Sequence, residues 1–227
     1  MANASDQATP PYNGADGIID AFMALAAEQD FADIRLSDIA ARAGVTLGEL
    51  RDAFGSRLDI LAAYMKRVDR AVLDGIDDSL KGEETKDKLF DVLMRRLDVL
   101  APHKGAIRGL AKAARRDPGL AMALNRLAVR SQRWMLAAAD IELTGPGGAV
   151  RAQGLAWAFG KVLAVWLDDD DPALARTMKA LDEQLAKVGR AAGALKTFEQ
   201  VTAPLRGLAC LPLSLCRGRN RRSRDRD

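Results

Sequence analysis

Apolar residues recur every three or four positions along almost the whole of this chain, and no segment alternates as a half-buried strand would. The first such series is Ile18, Ile19, Phe22, Leu25 and Ala26. This spacing matches the period of an amphipathic helix. Ala, Leu, Arg and Met, which favour helices, are abundant, whereas Thr, Tyr and Phe are few. The sequence therefore predicts an all-α protein of roughly nine helices.

Short polar motifs predict where several of these helices begin and end. Thr46-Leu47-Gly48-Glu49 has the S/T-x-x-E form of a capping box, in which two side chains satisfy backbone N–H groups that lack a partner within the helix. Ser37 and Ser56 stand where each could cap a neighbouring helix. Gly44 is expected to end the helix that Ser37 begins, because glycine tolerates the left-handed conformation common at helix ends.

Proline gives further boundary signals in the second half of the chain. Asp117-Pro118 and Asp171-Pro172 each place a carboxylate cap before a proline at the first helical position, so each predicts a helix start. The Pro/Gly-rich segment 144–148 predicts a loop, followed by a helix from about Ala149 to Leu167. Beyond that region the apolar pattern weakens, and residues 193–227 are predicted to form a poorly ordered basic tail.

Charge is distributed unevenly along the 227 residues. The chain carries 34 Lys and Arg against 31 Asp and Glu, a net charge of +3. Its last eleven residues hold six Arg and two Asp, a net +4, so residues 1–216 carry −1. The body of the protein is nearly neutral, and the overall basic balance is a property of the tail rather than of a nucleic-acid-binding surface.

Few residues are suited to catalysis or metal binding. His103 is the single histidine, and Cys210 and Cys216 have no histidine nearby. Since no nucleophile–base pair or phosphate-binding glycine loop stands out, we expect no enzyme, no catalytic residue, no metal site and no cofactor. The longest uncharged apolar stretches fall short of the roughly 20 residues that cross a bilayer, and residues 1–17 do not resemble a signal peptide. The prediction is a cytoplasmic protein without a membrane span.

Residues Leu36 to Ala53 have the spacing of a helix-turn-helix. Gly44 lies at the turn, and the small Ala40 leaves room for the second helix to cross the first. The other apolar positions predicted to face the core are Ile39, Ala43, Val45, Leu50 and Ala53. The same spacing occurs in ordinary three-helix packing units, so it does not by itself identify a DNA-binding unit.

Three segments of the N-terminal region resemble the DNA-binding domain of TetR-family transcriptional repressors. These segments are Ile18 to Ala21, Ile39 to Leu50 and Phe54 to Leu61. The resemblance implies an all-α, TetR-like homodimer, in which a three-helix helix-turn-helix domain precedes a larger helical domain that binds a ligand and pairs the subunits.

The same resemblance implies the domain limits. A disordered N-terminus, 1–15, would precede the helix-turn-helix domain at 16–62, and the ligand-binding and dimerisation domain would span 63–192. The dimer contact would be a four-helix arrangement formed by about residues 149–187 of each subunit.

The resemblance also implies site residues. The segment from Leu47 to Phe54 would lie in the major groove of operator DNA, Thr46 and nearby amides would meet phosphate, and Arg51 would reach a base or the backbone. The full set of implied DNA-binding residues is Arg35, Ser37, Arg42, Thr46, Leu47, Gly48, Arg51 and Arg57. The large side chains predicted to contact a small apolar ligand or lipid are Phe90, Met94, Trp134, Trp157 and Phe159, and the alternative for each is ordinary core packing.

The recognition segment departs from the family pattern. The family has aromatic residues at two positions where this chain has Arg51 and Ala53, and Glu49 and Asp52 bring two carboxylates towards a polyanion. Residues 16–72 contain seven Arg and Lys against ten Asp and Glu, a net −3. Because phosphate neutralisation supplies most non-specific DNA affinity, this charge argues against DNA binding.

A second resemblance concerns residues of about 85–190. The segments Lys88 to Asp98, Pro102 to Lys104, Val165 to Asp171 and Thr177 to Asp182 resemble the accessory protein of ubiquinone biosynthesis. That family shares the TetR architecture, binds lipid and does not regulate transcription. Two functions follow: a TetR-like repressor released from DNA by a small apolar ligand or, alternatively, a TetR-fold lipid-binding accessory protein that no longer binds DNA.

Overall fold

A computed structural model describes residues 14–76, 82–143 and 145–208, together with their side chains except at 145, 146, 192 and 194–208. These residues form nine α-helices and no strand, which confirms the all-α prediction. The helices are α1 (Gly14–Glu28), α2 (Leu36–Ala43), α3 (Leu47–Ala53), α4 (Arg57–Asp74), α5 (Thr85–Leu100), α6 (Lys104–Ala114), α7 (Pro118–Ala138), α8 (Gly145–Leu167) and α9 (Ala175–Leu208), with a 3₁₀ turn at Ala101–His103.

The chain divides into two compact units, one ending at Val188 and one beginning at Gly189. In the first, α1 packs against α2 and α6, α4 packs against α5 and α7, and α7 packs against α8. The apolar face predicted for α1 is buried, including Ile18 and Phe22. The face of α5 is buried in the same core through Leu93 and Leu97. In the described part of the second unit, the chain is the remainder of α9.

Three predicted helix starts are confirmed. Thr46 caps α3 and Ser56 caps α4, each accepting a hydrogen bond from the backbone N–H three residues ahead. Asp117 caps α7 by accepting from the N–H groups of Gly119 and Leu120 at 2.8 and 3.1 Å, with Pro118 as the first helical residue. These signals were readable because donor and acceptor lie within three residues of each other.

The prediction that Ser37 caps α2 is wrong, because the capping position is Arg35. The backbone N–H of Arg35 donates to Oδ2 of Asp38 at 3.2 Å, and Leu36 is already helical. The side chain of Asp38 therefore accepts the hydrogen bond that the third helical residue of a capping box accepts, although no Ser or Thr precedes α2.

The loop predicted at 144–148 is also wrong for its last four residues. Helix α8 begins at Gly145, so Pro146 and the following glycines form its first turn. A proline fits there because the first N–H groups of a helix have no intrahelical acceptor. Residue 144 lies outside the described part of the chain.

The helix start predicted at Asp171-Pro172 is wrong by three residues, since α9 begins at Ala175. Asp171 instead accepts from the N–H of Ala173 at 3.0 Å and forms a turn. The carboxylate of the buried Asp169 accepts from the backbone N–H and the hydroxyl of Thr177 at 3.0 and 2.6 Å. The cap is thus supplied from eight residues away, beyond the range of a sequence motif.

The predicted domain ends fall partly outside the described residues. Helix α1 begins at Gly14, two residues before the predicted domain start. Helix α9 continues to Leu208, past position 193 where the poorly ordered tail was predicted to begin. The Arg-rich segment 209–227 lies outside the described residues. None of the described helices is long and apolar enough to cross a membrane.

Candidate nucleic-acid interface

The turn between α2 and α3 has the backbone geometry that its sequence predicts. Gly44 has φ 69° and ψ 30°, in the left-handed region that favours glycine. The N–H of Val45 donates to the carbonyl of Ala40 at 3.0 Å, which closes the end of α2. Ala40 and Ile39 are buried, and α2 packs against both α1 and α3. The turn fixes the direction in which α3 leaves the motif.

The capping box at the start of α3 is complete. The N–H of Thr46 donates to Oε2 of Glu49 at 2.8 Å, the Thr46 hydroxyl donates to the same oxygen at 2.9 Å, and the N–H of Glu49 donates to the hydroxyl at 3.2 Å. The backbone bond from Thr46, followed by the hydroxyl bond, lowers the pKa of Glu49. Glu49 is therefore an ionised structural cap.

Helix α3 buries one side and exposes the other. Leu50 is buried, as predicted, and so is Phe54, which ends the helix. Ala53 was predicted to face the core, but it is exposed. The exposed side presents Leu47, 56% exposed, with Gly48, Arg51 and Asp52. Leu47 and Arg51 lie one turn apart on the same side of the helix.

Most carboxylates of the helix-turn-helix region are engaged in the fold. Asp38, Glu49 and Asp59 each accept a hydrogen bond from the residue that caps α2, α3 or α4. Among the described contacts, Asp52 has neither an ion pair nor a hydrogen bond from its side chain, and it shares the exposed side of α3 with Arg51. The three capping carboxylates keep their negative charge, but they lie at helix N-termini, where the helix dipole offsets part of it.

Two of the arginines predicted to bind DNA are engaged within the protein. Arg42 forms a bidentate ion pair with Glu28 of α1, which lowers the pKa of Glu28 through the side-chain hydrogen bond. The guanidinium of Arg57 donates to the carbonyls of Phe31 and Ile34, the latter at 2.8 Å, and lies 4.6 Å from the Phe31 ring centre. Arg57 thus ties the segment between α1 and α2 to the start of α4.

The remaining predicted DNA-binding residues are exposed around the motif. Arg35 and Ser37 lie at the start of α2, and Thr46, Leu47 and Gly48 lie at the start of α3. The Arg51 side chain forms no ion pair with another described residue. It is therefore the exposed cation of α3 that is available to a polyanion.

The five predicted ligand-binding side chains do not line one cavity. Phe90 and Met94 are half-buried against the core, and Phe159 is buried with the guanidinium of Arg96 5.8 Å from its ring centre. Trp157 lies on α8, 68% exposed, with Nζ of Lys161 3.9 Å from its ring centre. Trp134 is 55% exposed and lies on α7 beside a groove.

That groove lies between α4 and α7 and has a volume of about 580 Å³. Its wall includes the buried Asp69 and Ser131, which meet a buried arginine of α5. Arg96 is 1% exposed, donates to Oδ1 of Asp69 at 2.5 Å, and shares that oxygen with the Ser131 hydroxyl. Sequence reasoning missed this network, although an arginine between Leu93 and Leu97 on an apolar face was a readable signal.

Helix α6 contacts α1 along a very close approach. A Cβ placed on Gly109 of α6 would lie 2.5 Å from the carbonyl oxygen of Ala26 in α1. On another side of α1, Asp20 forms an ion pair with Arg67 of α4 at 2.5 Å. Helix α1 therefore connects the helix-turn-helix to both α4 and α6.

Comparison with known proteins identifies the fold. No family sequence model matches the chain, and the curated protein sequences give no match. Solved structures do match. Among them are a TetR transcriptional regulator from Nitrosomonas europaea ATCC 19718 (TM-score 0.60, 22% identity, 77% of this chain and 97% of that chain), one from Rhodococcus sp. RHA1 (0.52, 21%, 76% and 93%), and a TetR-family regulator from Streptomyces coelicolor (0.51, 16%, 88% and 93%).

These similarities show that the chain has the TetR fold, as the N-terminal segments predicted. The resemblance of residues 85–190 to the accessory protein of ubiquinone biosynthesis gains no support from them. At 16–22% identity, the comparison establishes the architecture, and the function must be argued from this chain's own residues.

Proposed function

We propose that the protein is a DNA-binding transcriptional regulator, a repressor that is released from its operator by a small ligand. The observation that carries this proposal is the exposed side of α3. It presents Leu47, Gly48 and the unpaired Arg51, and a complete capping box between Thr46 and Glu49 holds the start of the helix. A side chain can reach base edges from such a helix in the major groove, while backbone contacts fix its position.

The charge of the region, which argued against DNA from the sequence, is compatible with the proposal. Asp38, Glu49 and Asp59 serve as caps, and Glu28 is paired with Arg42. On α3, Asp52 and the ionised Glu49 are the exposed carboxylates that would oppose a phosphate. We therefore expect specific binding of moderate affinity with a shallower salt dependence than a strongly basic DNA-binding domain would show.

We further propose that the protein acts as a homodimer through about residues 149–187. Val150 and Trp157 are exposed on one side of α8, 58% and 68% respectively, and Gly160 continues that side with open space around it. Large exposed apolar side chains in line with small residues favour close pairing of two helices. The two copies of α3, which act as the recognition helices in this proposal, would then lie about 34–36 Å apart and reach successive major grooves on one face of the DNA.

Regulators in the three comparisons act on transcription, and we expect this chain likewise to act by binding rather than catalysis. The proposed role places it in the cytoplasm with the DNA, without a cofactor. Ligand release would require that ligand and DNA favour different arrangements of α4 relative to its neighbours.

The decisive experiment measures binding of the full chain to the DNA upstream of its own gene. Fluorescence anisotropy at several salt concentrations should show sequence-dependent binding at least about 1,000-fold tighter than to scrambled DNA. The logarithm of the affinity should fall linearly with the logarithm of salt concentration. Equal affinity for operator and scrambled DNA at low salt would contradict the proposal.

A further inference from the structure

We propose that the groove between α4 and α7 binds an amphipathic anion, a molecule with an extended apolar body and a carboxylate or similar negative group. This assigns a chemical class to the ligand of the regulator proposed above, and it narrows the small apolar ligand or lipid expected from the sequence to a molecule with a negative group. The effect of the ligand on DNA rests on the proposed function, whereas its binding to the groove can be tested separately.

The groove has the size and lining of a small-molecule site. Its volume of about 580 Å³ falls within the range of such pockets. The apolar part of its wall consists of Ala62, Ala63, Met65, Leu73, Leu127 and Trp134. Trp134 is 55% exposed, so a large aromatic surface is available to an occupant. Burial of this surface would favour a ligand with an aliphatic or aromatic body.

The charges of the groove favour an anion. Lys66 and Arg70 of α4 and Arg130 of α7 line it, and none of the three forms an ion pair with another residue in the described ranges. All three are exposed, so their charged groups can move to meet a ligand. Three free cations around an apolar wall match a single carboxylate attached to an apolar chain.

The two carboxylates of the groove do not cancel this charge. Asp69 is buried and accepts hydrogen bonds from Arg96 and Ser131. The positive charge of Arg96 therefore offsets the negative charge of Asp69. Asp74 is exposed and is the last residue of α4. With Asp69 engaged, three cations face one free carboxylate within the groove.

A second surface provides a matched comparison. The shallow depression beside Trp157 is lined by Val129, Arg133, Ala149, Val150, Gln153 and Gly154. It has an equally large exposed tryptophan but one cation where the groove has three. In the homodimer proposed above the partner subunit covers this surface, whereas the groove residues of α4 and α7 lie outside residues 149–187.

Helix α4 joins the groove to the helix-turn-helix. Its later residues line the groove, and its first residue, Arg57, holds the segment that contains Phe31 and Ile34. Arg67, in the middle of α4, pairs with Asp20 of α1. An occupant wedged between α4 and α7 would therefore act on the helix that positions α1 and the start of α2.

The test is calorimetric titration of the full chain with four probes: decanoate, decyltrimethylammonium, decanol and acetate. We expect decanoate to bind at least about tenfold more tightly than decanol, because its carboxylate gains charge-assisted hydrogen bonds. Decyltrimethylammonium and acetate should bind weakest, since one has the wrong charge and the other lacks the apolar body. Equal binding of decanoate and decyltrimethylammonium, or no binding of decanoate, would overturn the proposal.

Variants locate the site. The double change Arg70→Ala/Arg130→Ala should weaken decanoate binding about tenfold or more, whereas the control Arg133→Ala should leave it unchanged. Trp134→Ala should weaken binding of decanoate, whereas Met122→Ala, which removes an exposed apolar side chain of α7 that does not line the groove, should not. Circular dichroism of each variant verifies folding. Equal losses in Trp134→Ala and Met122→Ala, or undiminished binding in the double variant, would place the ligand elsewhere and overturn the assignment.

The same titration on the DNA complex separates the two proposals. Decanoate should release the wild-type protein from operator DNA but have at least about tenfold less effect on Arg70→Ala/Arg130→Ala. Decanoate binding without any specific DNA binding would overturn the proposed regulator and leave the groove assignment intact. Specific DNA binding with no decanoate binding would overturn the groove assignment and leave the proposed regulator intact.

Discussion

The helix-turn-helix and the α4–α7 groove use their charged residues in opposite ways. In the helix-turn-helix, carboxylates cap α2, α3 and α4, and Arg42 and Arg57 are held by Glu28 and by backbone carbonyls. In the groove, a buried arginine holds a carboxylate, and three cations remain unpaired. The helix-turn-helix region is acidic in composition, and most of its carboxylates have partners within the protein. The groove has three cations and two carboxylates, and all three cations are unpaired among the described residues.

The difference shows that the net charge of a segment does not give the charge of its surface. Asp69 counts among the ten acids of residues 16–72, but it acts as the partner of an arginine in α5. Lys66 and Arg70 count among the seven bases of the same segment, but they line the groove rather than the recognition helix. Which charge is paired, and on which face it lies, decides what each region can bind.

The largest expected effect concerns the groove wall. Asp69→Ala should lower the free energy of unfolding by about 3–5 kcal/mol, because it leaves the buried Arg96 without its carboxylate. Chemical denaturation of wild type and variant measures this loss. The double variant Asp69→Ala/Arg96→Met should be more stable than Asp69→Ala alone. A loss below about 1 kcal/mol in the single variant would mean that Arg96 is not held as a buried charge.

The next effect concerns the free cation of α3. Arg51→Ala should weaken DNA binding about tenfold on specific and scrambled DNA alike and reduce the salt slope by about 1 if Arg51 contacts phosphate. Arg126→Ala, which removes an exposed arginine of α7, is the matched control. Unchanged DNA affinity in Arg51→Ala would remove this residue from the interface and weaken the contrast between the two regions.

Loss of a cap in the helix-turn-helix should have a smaller effect. Thr46→Ala removes the hydroxyl that accepts from the N–H of Glu49, and should lower the free energy of unfolding by about 1 kcal/mol. Thr46→Ser retains the hydroxyl and should stay near the wild type. Thermal or urea denaturation distinguishes the two variants, and equal stability of all three proteins would show that the capping box does not stabilise α3.

The unpaired carboxylate of α3 provides a test with the opposite sign. Asp52→Asn should tighten DNA binding about twofold to threefold at low salt, because it removes a negative charge from the exposed side of the recognition helix. The gain should shrink as salt is added. Asp33→Asn, an exposed carboxylate before α2, is the control. Weaker DNA binding in Asp52→Asn would instead indicate that Asp52 accepts a hydrogen bond from a base.

The smallest effect is a pH dependence of the α3 cap. Because its hydrogen bonds to Thr46 lower the pKa of Glu49, this carboxylate stabilises the fold above its unfolded pKa, and the contribution is lost as pH falls through the lowered folded value. The stability difference between wild type and Glu49→Gln should therefore be constant above about pH 5 and shrink in more acidic solution. A difference independent of pH would contradict an ionised cap.

The sequence predicted those features whose partners are close along the chain. The capping box at Thr46, the Asp117 cap and the left-handed Gly44 each depend on a few consecutive residues, and all three are present. The buried faces of α1 and α5 followed from periodicity alone. These are the features that fix the helices and the direction of the turn.

The remaining features depend on partners that are distant in sequence. Asp169 caps α9 from eight residues away, Arg57 bonds to a carbonyl 23 residues earlier, and Arg96 meets Asp69 across 27 residues. No local motif encodes such pairs. The start of α9 was therefore predicted at Pro172, and the contacts of Arg57 within the protein were not anticipated when it was assigned to DNA. The groove arises from two helices that the sequence could not place side by side.

The contact between Gly109 and Ala26 has a mechanical consequence. Where α6 crosses α1, one backbone lies directly on the other, because there is no side chain on Gly109 to separate them. Side chains can change rotamer and absorb a small displacement, but two backbones in contact cannot. The crossing therefore transmits displacement directly. A shift of α6 towards α1 displaces α1 itself, together with α2, which packs against α1.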